Sequence, residues 1–132
     1  MQEQSQAPSL LSVRDLSVVA DLADGPRTIV DRVSFDLEPR QILAVIGESG
    51  SGKTTLVRAL VGLTRAWQGQ VHFDGRPVAA GDAAALKTLR RDVQMVFQDP
   101  FGSLDPRLPV QDIIAEPLQI HGTHDAQQRA AR

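Results

Sequence analysis

The spacing of hydrophobic residues predicts two antiparallel strands in the first third of the chain. Between residues 10 and 37, apolar side chains alternate imperfectly with polar ones in two runs, which are separated by the turn residues Asp24, Gly25 and Pro26. Such alternation is typical of half-buried strands, and a Gly-Pro turn between two strands indicates an antiparallel pair. A shorter alternating run, Gln70 to Phe73, precedes the turn dipeptide Asp74-Gly75 and predicts a further strand.

Two other runs are apolar at nearly every position and predict parallel strands. The run Ile42 to Ile46 is apolar throughout, and the run Val93 to Phe97 is interrupted only by Gln94. A strand in the middle of a parallel sheet reads as a continuous apolar run, because neither of its faces meets water. We therefore expect both runs in the interior of an α/β domain.

Helical spacing of apolar residues occurs in two segments in the middle of the chain. The first helix is predicted to begin near Lys53, with leucines at 56, 60 and 63 and with Gly62 near its end. Asp82 is the predicted N-cap of a second, short helix that runs through Leu89. The basic pair Arg90-Arg91 then reads as a solvated helix end, which suits the helix dipole.

The last third of the chain combines a proline-rich loop with helical segments. Residues 98–109 contain three prolines and a glycine, so we expect a loop there. The run Val110 to Leu118 has helical spacing, and Pro117 is expected to limit it because proline lacks the N–H that a helix interior uses. A break is predicted at His121-Gly122, after which Asp125 is a candidate cap for one more helix.

Composition narrows the class of protein. The 132 residues suffice for about one domain, and the formal charge of −2 argues against a nucleic-acid partner held by positive charge. The absence of cysteine excludes disulfides, thiolate metal sites and catalytic thiols. No run approaches the ~18 apolar residues of a membrane span, and the first residues do not resemble a secretory signal. We expect a cytoplasmic chain that meets a membrane only through a partner.

The strongest chemical signal is the glycine-rich loop before the first helix. Its sequence, Gly47-Glu48-Ser49-Gly50-Ser51-Gly52-Lys53-Thr54, fits the phosphate-binding pattern G-x-x-x-x-G-K-[ST] in full. Glycines let successive N–H groups approach a phosphate, and the helix start adds further unpaired N–H groups. Lys53 is then expected to reach the β- and γ-phosphates of a nucleoside triphosphate, and the Thr54 hydroxyl to bind Mg²⁺. The alternative is a flexible Gly/Ser linker, which the predicted strand and helix on either side disfavour.

A second candidate residue is Gln98, at the end of the second apolar run. Its side-chain oxygen can ligate a hard metal ion, and its amide group can bind water. At the carboxyl end of a parallel strand it would lie at the edge where α/β sheets bind ligands. Alone, Gln98 reads as an ordinary polar residue at a strand end, and it is the phosphate loop that favours a functional role.

Taken together, the motifs resemble those of ATP-binding cassette transporter ATPases. GESGSGKT and VQMVFQDP are similar to the family's Walker A motif and Q-loop, and DPFGSLDPR followed by VQDIIAEPL resembles its oligopeptide, dipeptide and nickel permease branch. The resemblance implies an α/β fold, in which an incomplete P-loop NTPase core is joined by an N-terminal antiparallel β subdomain and the start of a helical subdomain. It divides the chain into a flexible tail (1–9), a nucleotide-binding core (10–108) and a truncated helical start (109–132).

The same resemblance implies a function. The chain would bind ATP and Mg²⁺ as part of an importer ATPase subunit that energises solute transport. Thr54 and Gln98 would bind Mg²⁺, and Gln98 would also sense the γ-phosphate and the attacking water as the catalytic residue. Residues near 98–118 would contact a permease at the inner face of the cell membrane, a second ATPase subunit would complete the assembly, and no nucleic acid is involved. The phosphate-binding residues would be Gly47, Ser49, Gly50, Ser51, Gly52, Lys53, Thr54 and Thr55.

Several features depart from the family pattern. Residues 1–34 contain no aromatic residue that could stack on adenine, so an aliphatic contact from around Val19 or Ile29 would replace it. Arg40 stands where the family has glycine, which predicts a positive φ at an arginine. The sequence contains no signature motif, Walker B strand or switch histidine after Gln98. We therefore expect a fragment that is inactive alone as an ATP hydrolase.

Two alternatives stay open at this point. A stand-alone module could retain nucleotide or partner binding without catalysis. A small P-loop kinase would also use the phosphate loop, but it needs acceptor-site and lid residues and leaves the Q-loop match unexplained.

Overall fold

A computed structural model describes residues 9–64, 67–99 and 102–122 of the chain. The fold divides into two compact units, Met1–Val93 and Gln94–Arg132. The predicted tail, apart from Ser9, and the candidate helix cap at Asp125 lie outside the described residues.

The first unit is built on an antiparallel sheet that has, among the described residues, four strands in the order β2-β1-β3-β4. The predicted antiparallel pair and the strand before Asp74-Gly75 are both confirmed. A two-residue turn joins the first two strands, because Leu22 pairs with Gly25. The strands are β1 (Leu11–Leu22), β2 (Gly25–Leu37), β3 (Trp67–Phe73) and β4 (Arg76–Val78).

A bulge in β1 explains why its hydrophobic alternation is imperfect. Asp15 has a φ of 50°, and its N–H donates to Ser34 Oγ at 2.8 Å. Gly69 of β3 lies against this bulge, where an added Cβ would come within 2.6 Å of the Asp15 carbonyl oxygen. The register shift breaks the two-residue period, so that the side chains reaching the core are Val13, Leu16 and Val18, each at most 1% exposed.

Two helices cover one face of this sheet. They are α1 (Lys53–Leu60) and α2 (Ala83–Asp92), and both were predicted. The predicted cap of α2 is confirmed, because Asp82 Oδ1 accepts hydrogen bonds from the N–H groups of Ala84 and Ala85 at 3.0 Å. The helices and the sheet share one buried cluster, which consists of Val13, Leu16, Val18, Val30, Leu56, Ala59, Val71, Val78, Leu86 and Leu89.

The two predicted parallel strands are not formed, and that prediction is wrong. Residues 42–46 and 93–97 have no regular secondary structure. Ile42 is 98% exposed and Ile46 is 90% exposed, so the first run is not buried. A parallel strand takes its backbone hydrogen bonds from strands at its sides, and every strand pair among the described residues is antiparallel. An apolar run without such neighbours does not specify a strand by itself.

The described part of the second unit consists of a loop and one helix, α3 (Val110–His121). The expectation that Pro117 limits this helix is wrong, because Pro117 lies inside it. Proline removes one backbone hydrogen bond, and the helix tolerates this loss so close to its end. The break at His121-Gly122 is confirmed: Gly122 has a φ of 62° and donates its N–H to the Gln119 carbonyl at 3.1 Å.

The positive φ predicted at Arg40 is present. Arg40 has a φ of 67° in a turn that is closed by the Gln41 N–H, which donates to the Glu38 carbonyl at 3.2 Å. Gln41 Oε1 also accepts from the Glu38 N–H at 3.0 Å. With Pro39 in second place, this is a turn that prefers glycine in third place, so arginine there costs roughly 1–2 kcal/mol.

Helix α1 begins in close contact with β2. Gly52 has a φ of 95°, and an added Cβ would lie 2.7 Å from the carbonyl oxygen of Ile29. The Gly52 carbonyl accepts the helix's first backbone hydrogen bond, from the Leu56 N–H at 2.8 Å. The missing side chain therefore lets the loop, the helix and the sheet meet at one point.

We expect Gly52→Ala to lower the free energy of unfolding by roughly 1–3 kcal/mol, because the methyl group would collide with β2 while the backbone stays at positive φ. Gly50→Ala is the matched control, since Gly50 has a φ of 80° but nothing lies within 4 Å of an added Cβ. Its loss should be smaller. Urea unfolding of the three proteins measures both values, and equal losses would contradict the close approach.

Candidate functional site

The loop that precedes α1 folds back on itself and is closed by Lys53. The Lys53 ammonium donates to the carbonyl oxygens of Gly47 at 2.8 Å and Glu48 at 2.5 Å, and to Ser51 Oγ at 3.3 Å. Within the loop, the Ser51 N–H donates to the Glu48 carbonyl at 3.2 Å. The positive charge therefore lies inside the curve of the loop, although the lysine stem belongs to the helix.

The start of α1 adds backbone donors at the same place. The first bond of the helical ladder runs from the Leu56 N–H to Gly52, so the N–H groups of residues 53–55 precede the ladder. The cap residue is Gly52, which has no side chain that could accept hydrogen bonds from these N–H groups. A helix start also carries a partial positive charge, equivalent to roughly half an elementary charge. Lysine, backbone donors and dipole together favour an anion.

The loop residues fit a triphosphate and a magnesium ion. Gly50 and Gly52 take positive φ values of 80° and 95°, which allow the tight curvature. A Cβ at Gly47 would lie 2.7 Å from Ser51 Oγ, so a side chain there would displace the serine. Thr54 is exposed in the first turn of α1, which leaves its hydroxyl accessible as a ligand for a hard cation.

The predicted phosphate-binding residues all lie in the first unit. Residues 47–55 form a continuous loop and helix start in the first unit. Gln98 belongs to the second unit, where it is exposed and lies in a bend and not at the end of a strand.

Short-range hydrogen bonds order the segment after Gln98. The Ser103 hydroxyl donates to the Asp99 carbonyl. Asp105 accepts from the backbone N–H and the Nε of Arg107 at 2.9 Å, and from its Nη2 at 2.7 Å. These hydrogen bonds from Arg107 lower the pKa of the Asp105 carboxyl. Between residues 102 and 118, the large hydrophobic side chains that stay between 45% and 71% exposed are Leu104, Leu108, Val110 and Ile114.

Sequence patterns missed the contact that holds α2 against the end of α1. Arg90 was expected to be a solvated helix end, but its Nη2 donates to the Gly62 carbonyl at 2.7 Å and its Nε to the Val61 carbonyl at 3.3 Å. Leu86 packs so closely on Gly62 that an added Cβ there would lie 2.3 Å from it. No local signal could reveal this, because the accepting carbonyls lie 28 and 29 positions earlier in the chain.

Among the described residues, no helix is both long enough and apolar enough to cross a bilayer.

Comparison with known sequences connects the loop with a family. Residues 30–132 match the family described as ABC transporter. Over 103 residues the chain is 47% identical to the glutathione import ATP-binding protein GsiA of Escherichia coli K12, and 46% identical to the protein of the same name from Escherichia coli O157:H7. These stretches cover 78% of this chain. They cover only 16% of the length of those relatives.

Solved structures share the fold. A dimeric post-hydrolysis state of the ATP-binding cassette MJ0796, bound to ADP and Pi, aligns with a TM-score of 0.76 at 22% identity, over 92% of this chain and 53% of that one. CbiO1 from Clostridium perfringens, part of the ABC transporter complex cbiONQ, aligns with a TM-score of 0.60 at 24% identity, over 82% and 47%. The predicted α/β class, an incomplete P-loop NTPase core with an antiparallel subdomain, is confirmed.

The family match covers most of the sequence and includes the whole glycine-rich loop. The chain therefore belongs to the ABC transporter family and carries part of its ATPase domain.

Proposed function

We propose that the loop and the start of α1 bind ATP as the nucleotide-binding part of an importer ATPase. The observation that carries the proposal is the Lys53 ammonium, which lies inside the loop on the Gly47 and Glu48 carbonyls beside the first N–H groups of α1. The residues proposed to hold the phosphates are Gly47, Ser49, Gly50, Ser51, Gly52, Lys53, Thr54 and Thr55.

In this proposal, Lys53 donates hydrogen bonds to the phosphates, and Thr54 and Gln98 hold the magnesium ion. An ammonium group has three donors, so Lys53 can keep a carbonyl of the loop while it donates to a β- or γ-phosphate oxygen. The Thr54 hydroxyl and the Gln98 side-chain oxygen are the proposed Mg²⁺ ligands. A bound magnesium ion neutralises charge on the phosphates, and Gln98 would orient the attacking water.

Aliphatic side chains replace an aromatic contact to adenine in this proposal. Ile29 lies beside the loop, with its Cγ2 atom 3.5 Å from the position that a Gly52 Cβ would take. Val19, on the neighbouring strand, is 39% exposed. An aliphatic surface buries the base but lacks the stacking that an aromatic ring adds, worth about 0.5–1.5 kcal/mol.

The proposal also includes a small peptide as the transported solute, and a permease and a second ATPase subunit as partners. Relatives with 47% identity are named for glutathione import, and glutathione is a small peptide, which agrees with the resemblance of DPFGSLDPR to peptide and nickel importers. Residues 10–108 would form the nucleotide-binding core, and 109–132 would start the helical subdomain. Residues 98–118 would contact a permease at the inner face of the membrane, and a second ATPase subunit would complete the assembly.

Replacing Lys53 by Ala should weaken Mg-ATP binding about 10- to 150-fold, because a charge-assisted contact contributes roughly 1.5–3 kcal/mol. Lys87→Ala is the control, since Lys87 is exposed on α2 and outside the loop. Calorimetric titration of the three proteins gives the affinities. If Lys53→Ala and Lys87→Ala bind alike, the assignment of the loop fails.

Phosphate release by the 132 residues alone should be slow. The sequence supplies the loop and Gln98 but no carboxylate after a buried strand, and a missing acid–base group costs ~10²–10⁴ in rate. Steady-state phosphate release is the measurement, with Lys53→Ala as the control for contaminating ATPases. Turnover near ~1 s⁻¹ that vanishes in the variant would contradict this expectation and favour an independent small NTPase.

A photocrosslinker at position 104 in a reconstituted transporter should capture the permease subunit, because Leu104 is 56% exposed within the proposed contact segment. Position 68, exposed on β3, is the matched control and should capture less. Capture only within the chain itself would count against the proposed surface.

A further inference from the structure

A cavity of about 230 Å³ lies between the β3–β4 hairpin and α2. None of the residues that line it belongs to the glycine-rich loop. Its apolar walls are formed by Phe73 and Val78 from the hairpin and by Ala85 and Leu89 from the helix. Val78 and Leu89 are buried, so this side of the cavity is part of the core.

The cavity stays open because one of the strands beside it is short and one of the side chains that line it is small. Strand β4 has only three residues, and it pairs with β3 only at Val71, His72 and Phe73. On the opposite wall, Ala85 presents a single methyl group where a larger side chain would fill the gap. The volume is below the ~300–1,000 Å³ of sites for drug-sized ligands, so it suits a smaller molecule.

The polar part of the lining carries charges of both signs. Asp74 and Arg76 come from the hairpin, and Asp92 is the last residue of α2. Asp74 is fixed in the turn, because it has a φ of 48° and its N–H donates to the Leu10 carbonyl at 2.8 Å.

Neighbouring side chains do not neutralise these charges in the part of the chain that the structure describes. The ion pairs there are Arg14–Asp36, Arg32–Asp31 and Arg107–Asp105, all of them elsewhere. A molecule that entered the cavity could therefore pair with the carboxylates and the guanidinium without breaking an existing ion pair. Charge-assisted hydrogen bonds of this kind are the stronger ones in proteins.

We propose that this cavity binds an amphipathic zwitterion the size of one amino acid. Its apolar side chain would lie against Val78 and Leu89, its ammonium group would face Asp74 and Asp92, and its carboxylate would face Arg76. Two carboxylates against one guanidinium favour ligands that carry an amine over simple organic anions. The site is separate from the proposed nucleotide site and does not depend on it.

Leucine and three truncated analogues test each part of this recognition. Titration into the isotope-labelled 132-residue chain should shift the methyl signals of Val78 and Leu89 in a saturable way with leucine. Glycine lacks the apolar group, 4-methylpentanoate lacks the amine and isopentylamine lacks the carboxylate. Glycine should bind at least about tenfold more weakly, because it has no side chain to bury against Val78 and Leu89. The other two analogues each lose one charge contact to residues that are exposed, and should bind roughly two- to fivefold more weakly.

Variants locate the site. Ala85→Trp should abolish leucine binding by filling the cavity. Arg76→Gln should weaken leucine binding roughly two- to fivefold, because Arg76 is exposed, and should leave isopentylamine binding unchanged. Arg91→Gln is the matched control for Arg76→Gln. Arg91 is also an exposed arginine and lies on α2, but it does not line the cavity. The proposal is overturned if leucine fails to saturate, if isopentylamine binds as tightly as leucine, or if Arg76→Gln and Arg91→Gln behave alike.

Discussion

The candidate site depends on the close approach of Gly52 to the carbonyl oxygen of Ile29 in β2. At this point an added Cβ would lie only 2.7 Å from the strand backbone. The contact sets where α1 begins, and thereby where the N–H groups of residues 53–55 and the stem of Lys53 are placed. An anion site needs donors at fixed positions. The contact of Gly52 with the sheet therefore positions the donors of the candidate site.

The sheet and α2 together hold α1 in place, the sheet at the start of the helix and α2 at its end. The bulge at Asp15 directs Val13, Leu16 and Val18 into one core, against which Leu56 and Ala59 of α1 pack. At the other end of α1, Arg90 donates to the carbonyls of Val61 and Gly62, which helix geometry leaves without partners inside the helix. Thus α1 is fixed at its start by a steric contact and at its end by hydrogen bonds to a cation.

Local patterns in the sequence predicted what local physics decides. The Asp82 cap, the antiparallel pair and the turn at Asp74-Gly75 all depend on residues close together in the chain, and all three are present. The glycine-rich loop before α1 is present as a loop, and its binding of phosphate stays a prediction. The positive φ of Arg40 was predicted from a comparison with the family and not from the local pattern, which would not place arginine there.

Two of the wrong predictions share a different cause, which is the tertiary environment. Residues 42–46 have the composition of a strand, but a strand also needs partners, and the strand pairs among the described residues are all antiparallel. The role of Arg90 depends on carbonyls far back in the sequence, which no periodicity reveals. The third error has another origin: Pro117 was expected to limit a helix that in fact continues to His121, because the loss of one backbone hydrogen bond is tolerated near a helix end.

The unformed strand makes the glycine-rich loop asymmetric. After the loop, α1 is docked on the sheet; before it, residues 42–46 have no regular structure, and Ile42 and Ile46 are almost fully exposed. The hydrogen bonds from Lys53 to Gly47 and Glu48 therefore connect the first half of the loop to the docked helix. An ammonium group has three donors, so Lys53 can keep this connection through one carbonyl while it donates to another oxygen.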